Sequence, residues 1–279
     1  MILDGKVVAA DIKQRLKEEI DEAVASGQRR PRLVIISVGE DQASKVYVRN
    51  KTRAADEVGI VATTFPMMAD TEEEYIKDII KQFNEDSLID GIMVQLPLPK
   101  HLDERAIIDA IDPAKDVDGL TTTNIGRIRS GQNCLKPCTA AGIIDLCKYY
   151  NIELDGKDVT IIGRSNIVGK PLADLMMAEG ATVTQCHSHT RHLECDTLKA
   201  DIIVSAIGKP KFITDEYVGF GAVVIDVGIN RDENGKMCGD VDYDNVLVKT
   251  EAITPVPGGV GPMTVAELMA NVVKAWRKN

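Results

Sequence analysis

The chain has 279 residues, 44% of them hydrophobic and 27% charged. That balance excludes a disordered or fibrous protein and leaves room for two domains. The 33 Lys and Arg against 43 Asp and Glu give a formal net charge of −10, and aromatics are only 4%. Such a surface repels DNA, RNA and anionic membranes and has few rings for stacking on nucleic acid bases, so no nucleic-acid or membrane partner is expected. An anionic ligand must then be held by backbone N–H groups and a few placed cations. No basic segment followed by an apolar one opens the chain, and no apolar run approaches the roughly 18 residues of a membrane span. The six cysteines lack CxxC spacing, which fits reduced thiols in a cytoplasmic enzyme.

Along the first third, helix and strand patterns alternate. Asp4 caps a helix expected to run to about Ser26, with Val8, Ile12, Leu16 and Ile20 on one face. Arg32–Gly39 is a short β-branched run that predicts a buried strand, and helical spacing returns from Ser44 to Val58 until Gly59 stops it. A strand is expected over Ile60–Phe65, a helix over Glu72–Phe83 and a strand over Gly91–Leu96, ended by Pro97 and Pro99. Helices between short buried strands imply a mainly parallel α/β sheet.

A turn-rich passage, Asp112–Pro137, separates this half from a second one, which residues 140–150 join as a helix. Asp158–Gly163 then predicts a strand ending in a glycine-bearing loop, with a helix from Pro171, whose fixed φ suits a first helical turn. Ala181–Cys186, Ala200–Ala206 and Ala222–Val227 supply further strands, in the layout of a dinucleotide-binding unit. The last helix is expected to open at Thr264 and Glu267 in capping-box spacing, and its stripe of Leu268, Val272, Val273 and Trp276 must be buried on a partner.

The loop Gly163–Pro171 lies between a strand and a helix, where glycines admit a pyrophosphate to the backbone and the helix N-terminus favours negative charge. It is not a Walker A loop: five residues separate Gly163 from Gly169, and Pro171 stands where a magnesium-binding hydroxyl is needed. A tight strand-to-helix turn without a ligand is the plain alternative. At the end of the next strand, Cys186-His187-Ser188-His189-Thr190-Arg191 contains no acid to bind ribose hydroxyls. Hydroxyls and a cation there, with Arg164, suit the 2′-phosphate of NADP. His187, His189 and His192 beside Cys186 and Cys195 are transition-metal ligand types. Neither zinc-finger nor HExxH spacing is present, so no metal is expected.

Tyr47 and Lys51, four residues apart, share one helix face. A solvated lysine beside a half-buried tyrosine is one reading; the Y-x-x-x-K of short-chain dehydrogenases is excluded by order, because the glycine loop follows far downstream. Gln95 closes an apolar strand, at the end that faces the binding crevice of an open α/β sheet. Asp118 is either a turn aspartate or a grip on a planar donor pair such as an amino-pyrimidinone edge. Pro255–Thr264 is a Gly/Pro-punctuated loop that either presents bare backbone to a flat ligand or rigidly enters the final helix.

Taken together and in order, Ser44-Lys45-Val46-Tyr47 with Lys51, Val94–Pro99, Lys115–Leu120, Gly163-Arg164-Ser165 with Ile167-Val168-Gly169, and Pro255–Thr264 resemble the bifunctional methylenetetrahydrofolate dehydrogenase/methenyltetrahydrofolate cyclohydrolases. The resemblance spans essentially the whole chain. It implies two α/β domains: a folate-binding catalytic domain over 1–120 plus 265–279, and a Rossmann-like NADP-binding domain over 121–264, with the C-terminal helix returning to the first. It implies that Lys51 is the key cyclohydrolase residue assisted by Gln95, that Tyr47 lies against the folate and Asp118 on the pterin, and that Pro257, Gly258 and Gly259 help bind the substrate. Gly163, Arg164, Ser165, Ile167, Ser188 and Ile229 are implied to line the NADP site, in a homodimer built through the second domain. A shikimate-type dehydrogenase and a non-catalytic NADP-binding sensor share parts of this pattern. The set of Tyr47, Lys51, Gln95 and Asp118 speaks against the sensor.

Overall fold

The computed structural model describes residues 1–39 and 41–278. The chain divides into two compact units, Ala10–Cys138 with Val265–Asn279, and Met1–Ala9 with Thr139–Thr264. Asn279, the last residue of the expected C-terminal segment, lies outside the described residues.

The chain opens with α1 (Gly5–Ala25), whose Val8, Ile12 and Ile20 are buried as the four-residue spacing requires. Strand β1 (Arg32–Val38) buries Leu33, Val34, Ile35 and Ile36 on both faces, which is why it reads as an unbroken apolar run. Helix α2 (Gln42–Val58) starts where the Asp41 carboxylate accepts the Ser44 N–H at 2.7 Å. It ends at Gly59, whose φ of 91° places it in the left-handed region that glycine enters without strain. Next come β2 (Val61–Met67), α3 (Glu73–Glu85), β3 (Gly91–Val94), α4 (Glu104–Asp109) and α5 (Thr122–Arg129). The sheet order is β2-β1-β3, with every pair parallel.

After α6 (Cys138–Tyr149) the second sheet is built from β4 (Asp158–Ile162), α7 (Gly169–Ala178), β5 (Thr182–Cys186), α8 (Leu193–Thr197), β6 (Ile202–Ser205) and β7 (Val223–Asp226). A short antiparallel pair, β8 (Asn230–Arg231) and β9 (Met237–Cys238), precedes α9 (Tyr243–Leu247) and β10 (Ala252–Ile253). The five-stranded order is β10-β7-β6-β4-β5, again all parallel. Helix α10 (Val260–Trp276) closes the chain. Its Leu268, Met269, Val272, Val273 and Trp276 pack in one core with Ile20, Leu33, Ile35, Ala55 and Met93, so the C-terminal helix returns to the first-half sheet as expected.

Several local expectations change. The passage 112–137 holds α5, started by the Thr121 hydroxyl accepting the Asn124 N–H, a cap signal present in the sequence. Helix α10 starts at Val260, not at Thr264. Pro262 stands in its first turn, where a missing N–H has no partner to lose, and Thr264 instead turns its hydroxyl to Thr139 Oγ1 at 3.0 Å. The domain edges also differ: residues 121–138 pack with the first-half unit. Met1–Ala9 join the other, because Ile2 forms a parallel bridge to Ile253 and Leu3 N–H donates to the Ile253 carbonyl.

Trp276 is 7% exposed in a core that α10 completes. Trp276→Ala is expected to cost about 3–5 kcal/mol, read as a lowered midpoint in equilibrium urea unfolding.

Candidate active site

In the first-half unit, α2 and the end of β3 bring two predicted residues into contact. Lys51 Nζ donates to Gln95 Oε1 at 3.0 Å and lies 3.5 Å from Met93 Sδ. Gln95 is buried, and its Nε2 donates to the Leu96 carbonyl at 2.6 Å. With the amide nitrogen so engaged, the amide oxygen faces the lysine. Burial pushes the Lys51 amine below its usual value, opposed by the charge of Asp118. Burial likewise raises the Asp118 carboxyl, with Lys51 pulling it down. Lys51 is therefore an amine that burial makes easier to deprotonate, with Gln95 Oε1 as its oxygen acceptor. Tyr47, one turn earlier, is 42% exposed and presents its ring to solvent.

Two neighbours were not singled out from sequence. Met93 stands two residues before Gln95, on the same face of β3, and strand alternation could have found it. Cys138 carries no local signal. Burial raises its thiol well above the ordinary value, so it stays protonated and donates to the Val117 carbonyl at 3.3 Å. Asn271 Nδ2 of α10 donates to the same carbonyl at 2.9 Å and to that of Lys136 at 2.8 Å, fixing the turn that carries Asp118. Gln95 also borders a cavity of about 960 Å³ at the C-terminal ends of β1 and β2, walled by Ser44, Val48 and Thr52 of α2. Tyr47 and Lys51 do not line it.

In the second unit, the parallel order puts Gly163, Ser188 and Ile229 beyond the C-terminal ends of β4, β5 and β7. Gly163 has φ 129°, and a Cβ there would stand 2.5 Å from the Ala206 carbonyl oxygen; one on Gly169 would strike the Gly163 carbonyl. Both glycines are thus required by close backbone approach. The Ser165 hydroxyl accepts the Val168 and Gly169 N–H groups at 3.2 and 3.4 Å, organising the start of α7. Arg164, Ile167, Ser188 and Ile229 are exposed. The loop and the acid-free end of β5 suit a dinucleotide phosphate in shape and charge. Pro257 is exposed while Gly258 and Gly259 are buried in the turn before α10, closed by Gly259 N–H on the Pro255 carbonyl at 2.8 Å. The His187–Cys195 segment forms local contacts, such as His189 N–H on His187 Nδ1 at 3.1 Å. Among the described residues no group of three or more His, Cys, Asp or Glu could hold a metal ion, and no helix is long and apolar enough to cross a membrane.

Comparison with known proteins covers nearly the whole chain. The model of the tetrahydrofolate dehydrogenase/cyclohydrolase catalytic domain matches residues 3–118, and that of the corresponding NAD(P)-binding domain matches residues 137–279. The "Bifunctional protein FolD" of Agathobacter rectalis is 52% identical over 277 residues, 99% of each chain. The crystal structure of the bifunctional enzyme FolD, a methylenetetrahydrofolate dehydrogenase/cyclohydrolase from Campylobacter jejuni, aligns with TM-score 0.98 at 42% identity, covering 100% of this chain and 99% of that one. The Trypanosoma brucei methylenetetrahydrofolate dehydrogenase-cyclohydrolase, complexed with NADP cofactor and inhibitor, aligns with TM-score 0.94 at 36% identity, over 100% of this chain and 97% of that one.

The charge of Asp118 holds the proton on Lys51, so Asp118→Asn is expected to lower the Lys51 pKa further. The check is ¹³Cε lysine NMR across pH: the Lys51 resonance should titrate at lower pH in the variant than in the wild type.

Proposed function

We propose a division of labour for this chain, which belongs to the tetrahydrofolate dehydrogenase/cyclohydrolase family. The protein is a bifunctional one-carbon folate enzyme: it oxidises 5,10-methylenetetrahydrofolate to 5,10-methenyltetrahydrofolate with NADP, then hydrolyses the product to 10-formyltetrahydrofolate.

The observation that carries the residue roles is the Lys51–Gln95 contact at 3.0 Å, at an amine whose pKa burial lowers. NADP, when bound, supplies the hydride acceptor for the first step. No side chain need accept a proton in that step, so this chain contributes alignment and electrostatics. The glycine loop Gly163–Gly169, with Ser165, Ile167, Ser188 and Ile229, cradles the dinucleotide, and Arg164 faces its extra phosphate. Pro257, Gly258 and Gly259 bring bare backbone to the flat substrate.

Hydrolysis needs managed protons. Water attacks the methenyl carbon, and Lys51 Nζ handles the proton, which burial makes the amine hold less tightly than a solvated lysine does. Gln95 Oε1 holds that nitrogen in place, and its own orientation is set by the Leu96 carbonyl. Tyr47 packs its exposed ring on the folate, one helical turn away. Asp118 grips the pterin's donor edge and tempers the lysine's charge. The unit of residues 10–138 with 265–279 does the folate chemistry and the unit of residues 1–9 with 139–264 binds NADP, in a cytoplasmic homodimer formed through the NADP-binding unit.

Lys51→Gln is expected to lower cyclohydrolase activity by about a hundredfold to ten-thousandfold while sparing more of the dehydrogenase. The two are measured separately, as decay of added methenyltetrahydrofolate above its spontaneous rate and as NADPH formation from the methylene substrate. Near wild-type hydrolysis would remove Lys51 from the mechanism. For the cofactor, Arg164→Ala is expected to weaken NADP by about tenfold or more while leaving NAD far less affected, since only NADP carries the extra phosphate. Titration of each dinucleotide checks this; equal losses would take Arg164 off the phosphate.

A further inference from the structure

Asp240 is fully buried, yet it lies in no sequence motif assigned above. Its two carboxylate oxygens accept from donors on neighbouring strand ends. Oδ2 takes the Ser205 hydroxyl at 3.2 Å and the Ile207 and Gly208 N–H groups at 2.8 and 3.3 Å. Oδ1 takes the Lys209 N–H at 2.9 Å and Asn230 Nδ2 at 2.8 Å. Ser205 ends β6 and residues 207–209 follow it in the next loop; Asn230 follows Ile229 after β7. Strand β6 lies between β7 and β4 in the sheet, and its Ala206 carbonyl presses against Gly163. A second buried carboxylate, Asp226, holds Asp240 itself, accepting the Asp240 and Val241 N–H groups at 2.9 Å. Gly228 and Gly239 leave room for the pair, since a Cβ on either would overlap a carboxylate.

We propose that Asp240 is a positioning residue for the dinucleotide crevice: it ties the loops after β6 and β7 into one rigid wall beside the glycine loop. The proposal rests on the reading of Gly163–Gly169 and Ile229 as the NADP site. Every partner of Asp240 is a donor, so a carboxylate fits where an amide does not. An Asn side chain of the same size would turn an NH₂ group toward N–H groups and release part of the wall. Asp240 itself, with no exposed surface, acts through the backbone it holds.

A merely structural role would lower stability and both activities together, whereas a positioning role separates them, because hydrolysis of methenyltetrahydrofolate uses no dinucleotide. The experiment compares wild type, Asp240→Asn and Ser205→Ala for NADP Kd, for the KM and kcat of NADP in the dehydrogenase reaction, and for cyclohydrolase rate without NADP. Asp240→Asn is expected to raise Kd and KM for NADP by about tenfold or more, with kcat changing less and cyclohydrolase within about twofold of wild type. Ser205 is buried and cannot touch a ligand, so Ser205→Ala should raise Kd by about threefold through the carboxylate alone. Wild-type NADP affinity in Asp240→Asn overturns the proposal. If Asp240→Asn fails to fold and loses both activities, Ser205→Ala decides: a raised Kd upholds the proposal, and an unchanged one overturns it. A wild-type protein that binds no NADP would instead overturn the cofactor reading itself.

Discussion

A wholly parallel sheet sends every strand out through the same edge, and both units of this chain are built on that constraint. Each strand's C-terminal end must turn there into a loop whose N–H and C=O groups have left the ladder. Those groups need partners or a ligand. In the first-half unit the edge is closed by Gln95, whose amide bonds the next carbonyl and the Lys51 amine. In the second it is closed by glycine-tight backbone contacts and by the Asp240 carboxylate. The chemistry-bearing residues are where they are because the loops at that edge are the ones left unsatisfied by the sheet.

The two edges solve the same problem with opposite polarity. Lys51 is a cation among few acceptors: one amide oxygen, a thioether and the field of Asp118. Desolvation therefore dominates, and the proton is held less tightly than in water, which suits a group that must exchange one. Asp240 is an acid saturated by donors from two loops and a strand end. A carboxylate with both oxygens bonded is a good fastener. Incomplete partnering marks the reactive group, and complete partnering marks the group that holds a shape.

Helix α10 links packing to this chemistry. Its apolar stripe finishes the core around Leu33, Ile35 and Met93, and Met93 is also the thioether against Lys51. On the same helix Asn271 bonds the Val117 carbonyl beside Asp118. A helix distant in sequence thus sets both the floor beneath the lysine and the turn that carries its counter-charge. Loosening that core would alter the electrostatics of the site as well as its stability.

Periodicity and punctuation in the sequence determined the alternation of short buried strands with helices, the stop at Gly59 and the apolar stripe of α10. These are local: one residue's φ, or the spacing of side chains along one element, decides them. Motif order in the sequence also singled out Tyr47, Lys51, Gln95 and Asp118, and the glycine loop at the end of β4. The start of α10 at Val260 was missed because prolines and glycines read as loop, although a first helical turn tolerates both. Residues 1–9 were misplaced because a two-residue strand, β10, captures them through pairing that no local pattern records. Only tertiary structure decided that Cys138 and Met93 neighbour Lys51, that Gln95 turns its oxygen to the amine, and that Asp240 fastens two loops. Each depends on chain segments far apart in sequence meeting in a dry interior, where burial converts an ordinary polar residue into a perturbed acid, a fixed acceptor or a clamp.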